Sequence, residues 1–406
     1  MGSRFITLIV LLIAGAIALF LAIALYTLLS FTHQLWLMRI GAIASCLVLG
    51  QILGAFVGRR LGRQDRGRVG WAIAGVLIAF LSVSLFVPRS VPAAVAPVGT
   101  QFWQLSNGSR IVYLPLFKEQ SSNYPPIVFL HGGPGLGLSL DRDLNFFTRF
   151  AQAGYDLYKY DQVGSGFSSR LADVRQYTIA RQVEDLELIR QQIGATQMIL
   201  WGQSWGGSLA MNYLAQYPDR VAKMILTSSG TYWWPWQPGA IQWSALRDGR
   251  LSLRERLGYA IAPHNPLAAA QLMTQAESGY AWAVSTEGLD FIRLIQYCPD
   301  ALPPRSSLNL LDLAGRVNLL VNRLMTQSVT QGISPRSQLV GNSTPILYLR
   351  GSCDDGRSLI QKQDYQEIFW GMRSVQIAGA GHKLWNAPNT ENVAEMILAF
   401  LQGKAF

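Results

Sequence analysis

Met198-Ile-Leu-Trp-Gly-Gln-Ser-Trp-Gly-Gly207 decides how this chain is read. A short apolar run ends in Gly202-Gln203-Ser204-Trp205-Gly206, and a stretch with helical patterning follows. This is the G-x-S-x-G pattern of a nucleophile elbow, a strand that turns abruptly into a helix with the serine at the tip. Only small residues fit at positions 202 and 206, where a Cβ would collide with neighbouring backbone. The pattern alone is weak, because Gly and Ser are common. Its context, with strand before, helix after and Gly207 beyond, strengthens it.

Working outward, apolar strands alternate with longer helical patterns. Strands are expected at 126–130, 156–160, 198–202, 222–227, 345–350 and 374–378, and helices near 142–153, 179–193, 205–217, 358–369 and 390–402. This alternation predicts a mostly parallel sheet covered on both faces. Over 100–116 a strand pair fits, with Asn107-Gly108 as its turn. Residues 231–340 break the alternation with Trp, Pro and helical pieces. They read as a cap inserted into a core made of 100–230 and 341–406, over the sheet edge where ligands bind in such folds.

A serine hydroxyl needs a base, and the base needs an orienting carboxylate. Only four His occur, at 33, 131, 264 and 382. His33 falls in a loop between apolar segments, His264 reads as a surface loop residue, and His131 precedes two glycines after a strand. His382, in Ala378-Gly-Ala-Gly-His382 after the last strand, is the expected general base. Asp354, three positions after Gly351, is the expected carboxylate, with Asp355 its neighbouring competitor. Acyl transfer also needs two aimed N–H donors for the oxyanion. Trp205, next to the nucleophile, and Gly133, in His131-Gly-Gly-Pro-Gly135, are the expected pair. The chemistry calls for no cofactor and no metal.

These motifs carry a resemblance. His131-Gly-Gly-Pro-Gly135, Asp161-Gln-Val-Gly-Ser-Gly-Phe-Ser168 and Gly202-Gln-Ser-Trp-Gly-Gly207 together resemble the prolyl aminopeptidase (proline iminopeptidase) family of α/β-hydrolases, with the order Ser204, Asp354, His382 matching that fold's triad. The resemblance covers about 100–230 and 340–402. It implies an α/β-hydrolase fold with a helical cap, and a serine hydrolase that releases an N-terminal residue, typically proline, from small peptides. Two departures stand out. Val163 and Phe167 occupy positions where the family pattern has Arg, and Trp282-Ala-Val-Ser-Thr-Glu287-Gly288 is one residue out of step with the family's acidic cap motif. Glu287 is the residue this resemblance suggests for holding the substrate's ammonium. An esterase or lactonase using the same triad is the nearest alternative, and a non-catalytic membrane-tethered binding protein is the reading from another class.

The chain has 406 residues, half of them hydrophobic, and the excess lies at the start. Segments 5–31, 40–58 and 70–88 are each long and apolar enough to be read as transmembrane helices, which makes 1–89 a membrane region and 90–99 a linker. Of the net charge of +10, residues 1–89 contribute +7 through eight Arg against Asp65 alone. The basic surplus is therefore a membrane feature, not a nucleic-acid footprint. Five Arg within 59–68 place that loop in the cytoplasm. Three spans then leave the hydrolase region outside, with the lipid bilayer and a small peptide or ester as its partners. Arg39 is expected to snorkel to the interface beside Trp36. Gly50, Gly54 and Gly58 form a small-residue ridge on the second span, either a helix-packing face or simply the usual abundance of Gly in such helices. Cys298 and Cys353 could pair in an oxidising compartment, but pairing depends on a distance that sequence does not carry, and two free thiols are the expectation.

Overall fold

The computed structural model describes residues 2–60, 65–87, 95–117, 122–137, 140–229, 251–274, 293, 296–304, 316–331, 334–354, 365–386 and 388–405. The chain forms two compact units. One comprises Met1–Ser90 with Ser252–Thr274, the other Val91–Leu251 with Gln275–Phe406. The interval 231–340, expected to be one cap, thus contributes to both.

The first unit begins with three long helices, α1 (Gly2–Leu29), α2 (Leu35–Arg60) and α3 (Arg66–Phe86). All three are long and apolar enough to cross a bilayer, and each turns large apolar side chains such as Phe20, Val48 and Val76 outward. An outward apolar surface is what a helix in lipid requires and what a helix in water avoids. The glycine ridge is a packing face. A Cβ on Gly54 would lie 2.2 Å from Gly70 Cα, so α2 and α3 touch backbone to backbone there.

The second unit is an eight-stranded sheet ordered β1-β2-β4-β3-β5-β6-β7-β8. In chain order it runs β1 (Gln101–Gln104), β2 (Arg110–Leu116), β3 (Ile127–Leu130), α4 (Leu144–Gln152), β4 (Leu157–Tyr160), α5 (Ile179–Ile193), β5 (Met198–Gln203), α6 (Trp205–Gln216) and β6 (Val221–Thr227). The chain then passes to the first unit for α7 (Leu253–Ile261) and α8 (Pro266–Leu272). It returns for α9 (Leu319–Gln331), α10 (Arg336–Leu339), β7 (Ile346–Gly351), β8 (Arg373–Ile377) and α11 (Thr390–Leu401). β1, β2 and β4 pair antiparallel, and β4-β3-β5-β6-β7-β8 pair parallel. The expected strands and helices appear within a residue or two where they fall on described positions, including the hairpin at Asn107-Gly108.

The two-residue period of the strands divides the core. Val128, Leu130, Leu200 and Leu226 point to one face with Leu186, Leu209 and Tyr213 of α5 and α6. Ile127, Phe129, Trp201 and Leu349 point to the other, against Phe146, Phe147 and Phe150 of α4 and Ile397 of α11. Both faces of the central strands are therefore apolar, and β3 and β7 are buried along their whole length.

Two readings are corrected. Cys298 and Cys353 are joined in a disulfide, with Cα atoms 5.3 Å apart across 55 residues of sequence. No local pattern encodes such a distance. His264 lies in a turn, as a loop residue should, but it is half-buried and not a surface residue. Its ring stacks on Phe31 with centroids 4.1 Å apart.

Candidate active site

β5 ends at Gln203 and α6 begins at Trp205, so Ser204 alone makes the turn. Its φ of 51° and ψ of −118° lie outside the regions an L-residue ordinarily occupies. Such strain persists only where the surroundings impose it. Here Ser204 N–H donates to Thr227 O on β6 at 3.0 Å, and Gly207 N–H donates back to Ser204 O at 3.0 Å. The small residues are required as expected. A Cβ on Gly206 would lie 1.9 Å from Leu130 O, and one on Gly202 2.6 Å from Gly206 O.

Because β5, β6, β7 and β8 run parallel, the residues just after them emerge at one edge of the sheet. Ser204 follows β5, Asp354 follows β7 and His382 follows β8. His382 Nδ1 lies 3.0 Å from Asp354 Oδ1, with both side chains largely buried. The two loops are laced together: Ser352 N–H donates to Ile377 O at 2.9 Å, Cys353 N–H to Ala380 O at 3.0 Å, and Gly379 N–H to Ser352 Oγ at 2.9 Å. The disulfide at Cys353, adjacent to Asp354, ties the same loop to Cys298. Asp355 and Glu287 lie outside the described residues.

The glycine loop lies against the elbow. A Cβ on Gly132 would come 2.9 Å from Ser204 Cβ, and Gly133 follows with a φ of 55°. Trp205 is buried at the first position of α6. One glutamine joins these parts. Gln162 accepts from Trp205 Nε1–H at 3.0 Å, donates from Nε2 to His131 O at 3.0 Å, and gives its backbone N–H to His131 Nε2 at 3.1 Å. His131 Nδ1 lies 2.9 Å from Gly132 O. A backbone N–H can only donate and a carbonyl can only accept, so His131 carries its hydrogen on Nδ1. Burial pulls its pKa down to about 4, which keeps the ring neutral and the loop's bonds in this sense.

Three further residues escaped sequence reasoning. Asn318 and Asn322, at the start of α9, donate to Gly164 O at 3.0 Å and Pro134 O at 2.9 Å, pinning the glycine loop and the Asp161 turn from the other side. Asp143, before α4, accepts from Lys383 Nζ at 2.6 Å and Trp385 Nε1–H at 3.0 Å, so it anchors the chain just after His382. Burial alone would raise the Asp143 pKa, but Lys383 and the Trp385 N–H outweigh it and hold the carboxyl below its ordinary value. Trp385 also stacks on Phe146 at 5.2 Å. Nothing in the sequence near position 143 advertises this role.

The Asp161 turn differs in chemistry from the pattern it resembles. Val163 is buried among α5 and α6 side chains. Phe167 lies beneath the Arg316 guanidinium at 5.0 Å, and Arg316 pairs with Asp141 at 2.6 Å. Asp161 Oδ2 accepts from Phe167 N–H at 2.9 Å while Oδ1 is buried with no hydrogen-bond partner among the described residues, and burial pushes the pKa up to about 6. A carboxyl raised from 3.8 to about 6 lowers stability as pH climbs through that window, because the unfolded chain ionises first. Asp161→Asn removes this titration. Urea unfolding should show the variant gaining on wild type by about 2 kcal/mol between pH 4 and pH 7. A difference independent of pH would refute the assignment.

Comparison with known proteins accords with this architecture. Residues 125–384 match the family described as alpha/beta hydrolase fold, well over half of the chain, and the chain belongs to that family. It is similar to a proline iminopeptidase from Lactiplantibacillus plantarum, 32% identical over 190 residues that make up 45% of this chain and 63% of the relative. It is also similar to one from Lactobacillus delbrueckii subsp. bulgaricus, 38% identical over 117 residues, or 27% of this chain and 38% of the relative. The chain thus spans less than two thirds of the length of these relatives. Among solved structures, an esterase from Exiguobacterium antarcticum superposes with a TM-score of 0.52 at 18% identity, covering 74% of this chain and 98% of that one, a likeness of fold.

Proposed function

We propose that this protein is a membrane-anchored serine hydrolase that cleaves an acyl bond through Ser204, His382 and Asp354. The observation that carries this reading is the His382–Asp354 contact at 3.0 Å, on the sheet edge where the strained elbow presents Ser204. Ser204 Oγ attacks the substrate carbonyl while His382 takes its proton and later returns it to the leaving group. Asp354 holds the imidazole with its hydrogen on Nδ1 and stabilises the cation that forms. The N–H groups of Gly133 and Trp205 stabilise the tetrahedral oxyanion.

The substrate we infer is a small peptide with a free N-terminal residue, typically proline, supported by the proline iminopeptidase relatives. Glu287 would receive the ammonium. The esterase or lactonase reading uses the same triad without that anchor. A panel of proline and N-acetylproline chromogenic amides with simple esters separates the two. An aminopeptidase should favour the free proline amide by on the order of 100-fold, since a buried charge pair is worth a few kcal/mol, and Glu287→Gln should erase the preference. Equal turnover of free and acetylated amides, untouched by Glu287→Gln, would leave the esterase reading.

The hydrolase unit is proposed to face away from the cytoplasm. The five Arg between positions 59 and 68 support this through the positive-inside rule, and the Cys298–Cys353 disulfide supports it because such bonds persist in oxidising compartments.

A further inference from the structure

The Asp354 carboxylate has to hold one orientation, yet the two residues before it, Ser352 and Cys353, are exposed to water. Water competes for the hydrogen bonds of an exposed loop, so those that lace this loop to the His382 loop each add little net. Three backbone segments of the second unit stack here. A Cβ on Gly351 would lie 2.2 Å from Ala380 O and 2.3 Å from Gly381 O, so the end of β7 touches the chain that leads into His382. A Cβ on Gly381 would in turn lie 2.8 Å from Gln296 O and from Tyr297 N, so a third segment covers the residue just before His382. That segment is closed on itself. Tyr297 N–H donates to Arg293 O at 3.2 Å, Ala301 N–H to Cys298 O at 3.0 Å, and Arg293 Nε–H to Pro303 O at 2.8 Å. It is also tied to the chain beyond His382, where Asn386 Nδ2 donates to Gln296 O at 3.1 Å.

The Cys298–Cys353 disulfide joins the first of these segments to the third. Cys298 is buried, Cys353 is exposed, and Asp354 is the next residue along the chain. Neither cysteine belongs to the apolar clusters on the two faces of the sheet, so the bond braces the rim of the site and not the core of the fold. A covalent link at Cys353 limits the backbone swings that would carry the neighbouring carboxylate away from His382 Nδ1. Water does not weaken it as it weakens the hydrogen bonds beside it.

We propose that the Cys298–Cys353 disulfide is a positioning brace for Asp354, clamping residues 296–301 over the Asp354 and His382 loops, and that a dithiol which reduces it slows acyl transfer while the sheet stays folded. A thiolate of the dithiol attacks Cys353 Sγ, the sulfur of the exposed partner, breaks the S–S bond and expels the Cys298 thiolate, which takes up a proton. The reductant's second thiol then displaces Cys353 as its thiolate, which is protonated in turn, and closes the reductant's own disulfide. Two electrons pass from dithiol to protein, which ends with two thiols. The catalytic consequence rests on the hydrolase reading above.

The test follows labelling of Ser204 by a small fluorophosphonate in the full chain, held in nanodiscs of phosphatidylcholine and phosphatidylglycerol, before and after dithiothreitol. Reduction should lower the maximal labelling rate on the order of 10- to 100-fold, as displacement of a positioned group does, while the half-saturating probe concentration moves by less than about twofold. Reoxidation should restore the rate. Cys298→Ser combined with Cys353→Ser should match reduced wild type and ignore dithiothreitol; if that variant does not fold, reversible reduction of wild type still decides. In Asp354→Asn, reduction should cost nothing further, because the brace acts through that carboxylate, whereas a merely structural bond would slow this variant by the same factor. Amide hydrogen exchange should quicken over 352–354 and 378–382 and stay unchanged in β3, β5 and β6. Labelling indifferent to dithiothreitol, an equal loss in Asp354→Asn, or exchange quickened evenly through the sheet would each overturn the proposal and leave the hydrolase reading standing. An oxidised wild type that takes no label overturns the hydrolase reading, and with it the role given to the brace.

Discussion

Ser204→Ala should lower kcat by roughly 10⁴- to 10⁶-fold, with folding intact and fluorophosphonate labelling abolished. The alanine has no oxygen to attack a carbonyl and leaves every hydrogen bond of the elbow in place, because Ser204 enters that network through its backbone N–H and C=O. His382→Ala should fall in the same range, since an alcohol without a base is hardly nucleophilic at neutral pH. Asp354→Asn should cost on the order of 10⁴-fold, because an amide that donates to Nδ1 selects the wrong tautomer and removes the charge opposite the imidazolium. The three groups act in one step, so Ser204→Ala combined with His382→Ala should be little slower than either alone. Turnover retained within tenfold in Ser204→Ala would end the case for this nucleophile. Additive losses would show that the residues do not work together.

Gly206→Ala is the change of a single methyl group with the largest expected cost to the fold. Its Cβ would sit 1.9 Å from Leu130 O and 3.0 Å from Leu130 Cβ. Neither neighbour can yield cheaply. Leu130 is fully buried at the end of β3, where it pairs with Gly202 of β5, and His131 of the glycine loop follows it directly. Relief requires α6 to lift from the sheet, which opens the elbow and drags the glycine loop with it. A loss of several kcal/mol is expected, a large share of the 5–15 kcal/mol that keeps a typical domain folded. In detergent-solubilised full chain the unfolding midpoint should fall by about 10 °C or more, and residual folded protein should label slowly at Ser204. Wild-type stability and labelling in Gly206→Ala would mean that β3 and α6 are farther apart than described.

Stability and chemistry meet in the same few residues. Gln162 joins the elbow to the glycine loop, Asn318 and Asn322 hold that loop from α9, and Asp143 holds the chain after His382. Each fixes a position from which a reacting group is presented, and none is itself a reacting group in the proposed mechanism. Lys159 shows how tightly this region is packed. It is wholly buried over the Phe147 ring at 4.3 Å, and burial pulls its pKa down to about 7 against the opposing pull of Asp143 and Asp141.

The sequence alone determined whatever depends on neighbours along the chain. Strands and helices followed from periods of 2 and 3.6, the elbow from two glycines around a serine, and the long apolar helices from composition, because side-chain direction and steric room are set within a few residues. The candidate residues Ser204, Asp354 and His382 could be named because each stands just beyond a strand whose end was legible. The tertiary structure decided what depends on distance through space. The bond between Cys298 and Cys353, the neutral His131 bridging to Gln162, the hold of Asp143 on Lys383 and Trp385, and the seating of Asn265 on Ser30 join positions between 31 and 242 residues apart. Loop closure over such separations costs nearly the same entropy wherever it occurs, so no local preference marks which of many possible partners will meet. Only the packed sheet, which brings separate strand ends to one edge, selects them.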